Sequence, residues 1–143
     1  MNLNLGCGRN KKKGYINIDK DPTVSPDLVW DLEQGLPYDD NTVDSILIVD
    51  FLEHVENYIK LFNEMYRVCK NGAEIYIIVP YALCDAAHDI DHRSYWTERK
   101  FRQLVDNYYS YSGFTGKMNI RWMTKLNRDI ETDMIYVRLG VIK

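Results

Sequence analysis

Residues 43–50, "VDSILIVD", restrict the fold more than any other stretch of the chain. An apolar run this continuous reads as a strand buried on both faces of a parallel sheet. A second run, "AEIYIIVP" at 73–80, repeats the signal, with Pro80 as its terminator. Between them Val55, Tyr58, Ile59, Phe62, Met65, Tyr66 and Cys69 recur at helical spacing, which predicts a helix closed by Asn71-Gly72. Strand, helix and strand in that order imply an α/β layered architecture.

Shorter strand signals stand at 2–5, 15–19 and 28–31. Only nine residues separate the first two and eight the next two, with Pro22 and Pro26 among the latter. Parallel crossovers usually need about a dozen residues or more. The connections are therefore expected to be minimal loops or single helical turns, so that the N-terminal helices are reduced or absent and one sheet face is thinly covered. Farther on, Thr97 reads as an N-cap, and Phe101, Leu104, Val105 and Tyr108 mark a second helix ending before Gly113. Met118, Ile120 and Trp122 alternate, as do Ile135, Val137, Leu139 and Val141, predicting a closing antiparallel pair. At 143 residues, without repeats or linkers, the chain is expected to form one domain over 1–143.

Charge bears on partners. A net charge of −3 disfavours a nucleic-acid surface, which wants a basic face. The balance is uneven, since residues 1–50 carry five Lys/Arg against nine Asp/Glu and residues 101–143 carry seven against four. Three scattered cysteines, Cys7, Cys69 and Cys84, suit free thiols in a reducing compartment. With no leader pattern and no apolar run of membrane length, cytoplasmic location is the expectation.

The chemistry begins at "NLNLGCGRNKKKGYINID". Open α/β sheets bind ligands beyond the carboxyl ends of their strands, where strand order reverses. Gly6 and Gly8 fall there and let a ligand approach the backbone. Asp19, closing the second strand, is placed to accept from a ribose diol. Asp31 and Leu32 repeat the logic after the third strand, the carboxylate accepting from an adenine amino group and the Leu32 N–H donating to a ring nitrogen. Together the three strand ends describe an adenosine site.

The segments "LNLGCG", "INID", "VWDLEQGLPYDDNTVDSILIVDFLEHV" and "LFNEMYRVCKNGAEIYIIVP", in this order, resemble the class I S-adenosylmethionine-dependent methyltransferases, most closely their small-molecule branch. The likeness covers residues 2–80 and continues more loosely through "SGFTG" at 112–116. It implies a Rossmann-like fold, a mostly parallel twisted sheet with the antiparallel pair at its C-terminal end, and S-adenosylmethionine as cofactor. By that resemblance Gly6, Cys7 and Gly8 would line the methionine and ribose, Asp19 would hold the ribose hydroxyls, Asp31 and Leu32 would read adenine, and Asp50 and Phe51 would flank the methionine and the transferring methyl. The sequence departs from the family where an acid usually helps hold the cofactor's ammonium, because that position is Asn4. The loop's third glycine is Asn10.

Methyl transfer from a sulfonium is an in-line displacement, governed by alignment and exclusion of water. An oxygen acceptor also needs its proton removed, for which histidine is suited near neutral pH. His54 follows the fourth strand, and the polar segment "CDAAHDIDHRSYW" follows the fifth. That segment reads as a substrate-facing flap in which Asp91, His92 and Arg93 orient the acceptor. His88 and His92 are four apart, but no third strong ligand is evident nearby and no metal is assigned. The expected activity is methyl transfer to a small-molecule or glycan-like acceptor, by O- or N-methylation. The alternative is a non-catalytic S-adenosylmethionine-binding module, or the partner subunit of a methyltransferase complex, with a homo-oligomer or a partner covering the cofactor site. An NAD-type Rossmann protein is disfavoured because Lys11 stands where the last glycine of GxGxxG belongs.

Overall fold

The computed structural model describes residues 1–106, 113–126 and 133–143. Its sheet has seven strands in the order β3-β2-β1-β4-β5-β7-β6. These are β1 (Asn2–Leu5), β2 (Ile16–Asp19), β3 (Leu28–Val29), β4 (Val43–Val49), β5 (Cys69–Pro80), β6 (Met118–Leu126) and β7 (Met134–Val141). The first five run parallel, and β7 lies antiparallel between β5 and β6. The order reverses between β1 and β4, so the carboxyl tips of those neighbours open the crevice where such sheets take ligands. No helix among the described residues is long and apolar enough to cross a membrane.

One face of the sheet carries the core. Leu3, Leu5, Ile18, Ile46, Ile48, Ile75, Ile77, Val79, Ile135, Val137 and Leu139 are all buried. Helices α1 (Tyr58–Val68) and α2 (Glu98–Val105) contribute Leu61, Phe62, Met65 and Val68, and Phe101 and Leu104, to the same cluster. Trp96, fully buried, joins them: its ring stacks on Phe101 at 4.7 Å and meets Tyr58 edge-on at 5.2 Å.

The opposite face is different. Leu47, Val49, Tyr76, Ile78, Tyr136 and Arg138 are only half-buried. The expectation that residues 43–50 are buried on both sides is thus corrected: burial alternates along β4, because no helix among the described residues covers its second face. Residues 6–15 between β1 and β2 contain no helix, and a single 3-10 turn, Pro22–Val24, links β2 to β3. Side-chain amides hold the first of these loops instead. Asn4 Nδ2 donates to Asn10 O at 3.0 Å and to Asn17 Oδ1 at 2.9 Å, the Lys12 N–H donates to Asn17 Oδ1 at 2.7 Å, and Asn17 Nδ2 donates to Asp27 Oδ2 at 2.6 Å.

Other boundaries shift for local reasons. Helix α1 stops at Val68 with the Cys69 N–H bonded to Met65 O, and the chain passes directly into β5. Asn71-Gly72 lies inside that strand at an irregularity, where pairing steps from Val43–Cys69 to Ser45–Glu74 and Gly72 takes φ +81°. It is a bulge rather than a helix stop. Thr97 caps α2 as expected, its Oγ1 accepting from Lys100 N at 3.2 Å. Tyr108 and Ser112 lie outside the described residues. A second irregularity, between Ile120 and Trp122, reverses the alternation of β6, so Trp122 pairs with Arg138 and is 53% exposed.

Arg67 ties the segment after β3 onto α1. Its guanidinium donates to Leu36 O and Tyr38 O, both at 2.9 Å, to Asp40 Oδ1 at 2.7 Å, and to both oxygens of Glu64. Glu64, and then Asp40, hold its pKa above the ordinary guanidinium value. Arg67→Ala is expected to lower the unfolding free energy by about 2 kcal/mol, read from the urea midpoint. An unmoved midpoint would show that the clamp contributes nothing to stability.

Candidate functional site

The strand tips meet around a cavity of about 520 Å³, within the usual range for a small-molecule or cofactor pocket. Gly6, Asp19, Asp31, Leu32 and Phe51 line it, with His54 and Asp91 on its far wall. Gly6 takes φ +62°, and a Cβ there would lie 2.1 Å from Cγ and Cδ2 of Phe51. Both the backbone conformation and the close approach of Phe51 therefore require glycine. Gly8 also has a left-handed φ, +47°, but faces open space. Its N–H donates to Asp19 Oδ2 at 2.8 Å while the Asp21 N–H donates to Oδ1 at 2.9 Å. Two bonds leave the carboxylate with lone pairs to spare, the arrangement a vicinal diol needs.

Asp31 caps the 3-10 turn Leu32–Gln34, its Oδ1 accepting from Glu33 N at 3.0 Å. Asp50, at the tip of β4, holds φ +48°, an uncommon value for a non-glycine residue, and its N–H is bonded to Ile78 O at 3.0 Å. Strained backbone of this kind concentrates at functional sites.

A second cavity of about 620 Å³ opens beyond the tips of β4 and β5, lined by Asp50, Glu53, Asp89, His92 and Tyr136 among others. It shares His54 and Asp91 with the first. The flap builds that shared wall by folding back on the 3-10 turn Leu52–His54 that follows β4. Arg93 N and Ser94 N donate to Glu53 O at 2.7 and 3.1 Å, and Trp96 Nε1 donates to Ser94 Oγ at 2.9 Å. His54 Nδ1 then lies 3.3 Å from Asp91 Oδ2, and its ring meets that of His92 edge-on at 4.7 Å. Glu53 is buried beside them, and desolvation pushes its carboxyl up to about 7, with Asp50 and Asp91 adding to the rise.

The residues read from the sequence thus divide. Gly6, Asp19, Asp31, Leu32 and Phe51 line the first cavity, Asp50 and His92 line the second, and His54 and Asp91 serve both. Asn4 is not at either wall, because its amide protons go to the loop network. Cys7 is buried with its Sγ toward Gly8 O, and its thiol pKa is raised by burial and then by Asp19. All three cysteines are free. His88 turns away, its Nε2 against Ala82 O at 3.1 Å. Arg93 lines the first cavity rather than the second. Sequence reasoning missed Trp30, Glu33 and Glu56 on the first wall and Glu53 on the second. Glu53 had one signal, an acid directly after a buried strand and beside a histidine.

Residues 12–77 match a family described as a methyltransferase domain. The chain is 46% identical over 92 residues to an uncharacterized protein of Methanocaldococcus jannaschii, covering 54% of this chain and 39% of that protein. It is 31% identical over 99 residues to norajmaline N-methyltransferase of Rauvolfia serpentina, covering 68% of this chain and 34% of that enzyme. The chain therefore spans about two-fifths or less of these curated relatives. Among solved structures, a Methanosarcina mazei SAM-dependent methyltransferase superposes with TM-score 0.71 at 15% identity, over 99% of this chain and 92% of that one. A Haloferax volcanii structure of the Trm112 methyltransferase activator in complex with a methyltransferase gives 0.71 at 15% identity, over 99% and 82%.

Proposed function

We propose that this chain, a class I S-adenosylmethionine-dependent methyltransferase domain by fold and family with S-adenosylmethionine as its cofactor, carries out methyl transfer to a small-molecule or glycan-like acceptor, by O- or N-methylation. The observation that carries the reading is the shared wall. A cavity of cofactor size at the strand tips adjoins a second one, and His54 and Asp91 line both.

The residues present fit the cofactor. Asp19 keeps lone pairs for the ribose hydroxyls, Asp31 offers an oxygen toward an adenine amino group, and Gly6 with Phe51 shapes the floor at the switch point. When bound there, S-adenosylmethionine supplies a methyl group made electrophilic by its sulfonium. The protein's part is alignment and exclusion of water. Phe51 and the flap wall off solvent, while Asp50 and His92 line the approach of the acceptor.

His54 takes the acceptor's proton. Asp91 Oδ2 lies 3.3 Å from Nδ1, and the carboxylate there favours a proton on Nδ1, which leaves the Nε2 lone pair for the base. Asp19→Ala tests the cofactor assignment: affinity for S-adenosylhomocysteine by calorimetry is expected to fall about 30- to 150-fold, the equivalent of about 2–3 kcal/mol for lost charge-assisted hydrogen bonds. An unaltered dissociation constant would place the ribose elsewhere.

A second reading has its own support: the half-exposed face around Tyr76, Tyr136 and Trp122, and the structural likeness to a methyltransferase solved with an activator. In it the chain binds the cofactor as one part of an assembly. Turnover that appears only when a partner protein is added would favour this reading, and turnover by the chain alone would favour the first.

A further inference from the structure

We infer that Glu53, His54 and His92 form a binding site for one first-row divalent transition metal, of the Zn²⁺ or Fe²⁺ class, facing the second cavity. The inference rests on the reading of that cavity as the acceptor's.

Three observations converge. Each of the three side chains brings one ligand atom within 4.8 Å of the other two. A tetrahedral shell sets such atoms about 3.4 Å apart, so modest side-chain closure would complete it. The second observation is Glu53 itself. It is 2% exposed, yet its Oε2 has no hydrogen-bond partner among the described residues. A buried carboxylate oxygen without a partner is costly, and a cation is the partner that resolves it.

The histidines supply the third. His54 Nδ1 faces the Asp91 carboxylate at 3.3 Å, and His92 Nδ1 faces Ala87 O at 3.0 Å. A carbonyl oxygen can only accept, so His92 Nδ1 carries the proton, and the lone pair sits on Nε2. The Asp91 carboxylate beside His54 Nδ1 favours the same tautomer there. Metal-binding histidines are usually oriented in this way, the second ring nitrogen donating to a carboxylate or a backbone carbonyl. Two prepared imidazoles and an orphaned carboxylate make a two-histidine, one-carboxylate set, which suits Zn²⁺ or Fe²⁺ rather than Mg²⁺ or Ca²⁺.

Three protein ligands leave coordination positions open toward the cavity, so the site would select acceptors that offer an oxygen ligand, such as a phenol, a diol or a carboxylate. The lone pair of His54 serves one role at a time: with a cation bound it is a ligand, and without one it is a base. His88, held against Ala82 O and stacked at 5.0 Å on Tyr95, takes no part.

The test is titration of the full chain, stripped of metal, with Zn²⁺ by calorimetry and with Co²⁺ by visible absorption. The expected result is one equivalent bound, with the intense ligand-field bands of a four- or five-coordinate nitrogen–oxygen site. Glu53→Gln preserves shape while removing the charge, and with His92→Ala it is expected to weaken binding at least 30-fold; circular dichroism checks that both variants fold. Absence of binding, or binding that survives both substitutions, overturns the proposal. S-adenosylhomocysteine is titrated in parallel. Its binding without any metal site defeats this inference alone, whereas metal binding without it defeats the methyl-transfer reading alone.

Discussion

Gly6→Ala is expected to lower stability by about 2–5 kcal/mol and to weaken cofactor binding more than tenfold. Two costs add. A non-glycine residue in the left-handed region costs roughly 1–2 kcal/mol, and Gly6 sits at φ +62°. The new methyl group would also stand 2.1 Å from the Phe51 ring and 2.7 Å from its Cβ. Rotation of the ring relieves the first contact but not the second, so the tip of β4 must move, at the scale of about 1–3 kcal/mol for an overpacked site. That displacement pushes Phe51 toward the cavity it lines. Gly8→Ala is the control: its φ is similar and its surroundings are open, so only the backbone cost of roughly 1–2 kcal/mol is expected. Urea denaturation and calorimetry with S-adenosylhomocysteine measure both effects. Equal losses for the two variants would mean that Phe51 imposes no constraint on Gly6.

His54→Ala carries the other large effect. Turnover on a true acceptor is expected to fall about 10²- to 10⁴-fold, the range for a positioned acid–base group. The ring also borders the cofactor cavity, but it offers that ligand no charge-assisted bond, so cofactor affinity is expected to stay within about threefold. Asp91→Asn should give an intermediate loss, because the amide cannot hold the same tautomer as firmly as the carboxylate 3.3 Å from Nδ1. Single-turnover methyl transfer at saturating cofactor separates the chemical step from binding. A variant as fast as the parent protein would remove His54 from the chemistry.

Much of this was legible in the sequence because periodicity reports burial directly. The apolar runs at 43–50 and 73–80, the helical stripe from Val55 to Cys69, whose helix spans Tyr58–Val68, and the Thr97 cap all correspond to elements of the fold. Brevity of the first two connections also foretold the open sheet face. What the pattern could not show was irregularity. Asn71-Gly72 has the composition of a helix stop, yet sheet pairing with β4 draws it into a bulge. A similar irregularity beside Arg121 sends Trp122 to the face opposite Ile120, which strict alternation forbids. Long-range polar pairing was equally hidden. Asn4 stands where the family resemblance implies an acid, but the Asn17 side-chain carbonyl and the loop claim its amide. Glu53 acquires its meaning only when the flap returns to place His92 beside it, a contact across nearly forty residues that no local motif encodes.

A crystal structure with S-adenosylhomocysteine tests the central claim most directly. The account predicts the adenosine between the tips of β1, β2 and β3, its ribose hydroxyls about 2.6–3.2 Å from the Asp19 carboxylate and its thioether near Phe51 and the His54–Asp91 wall. A crevice left empty at saturating ligand, or an adenosine bound away from Asp19, would contradict it.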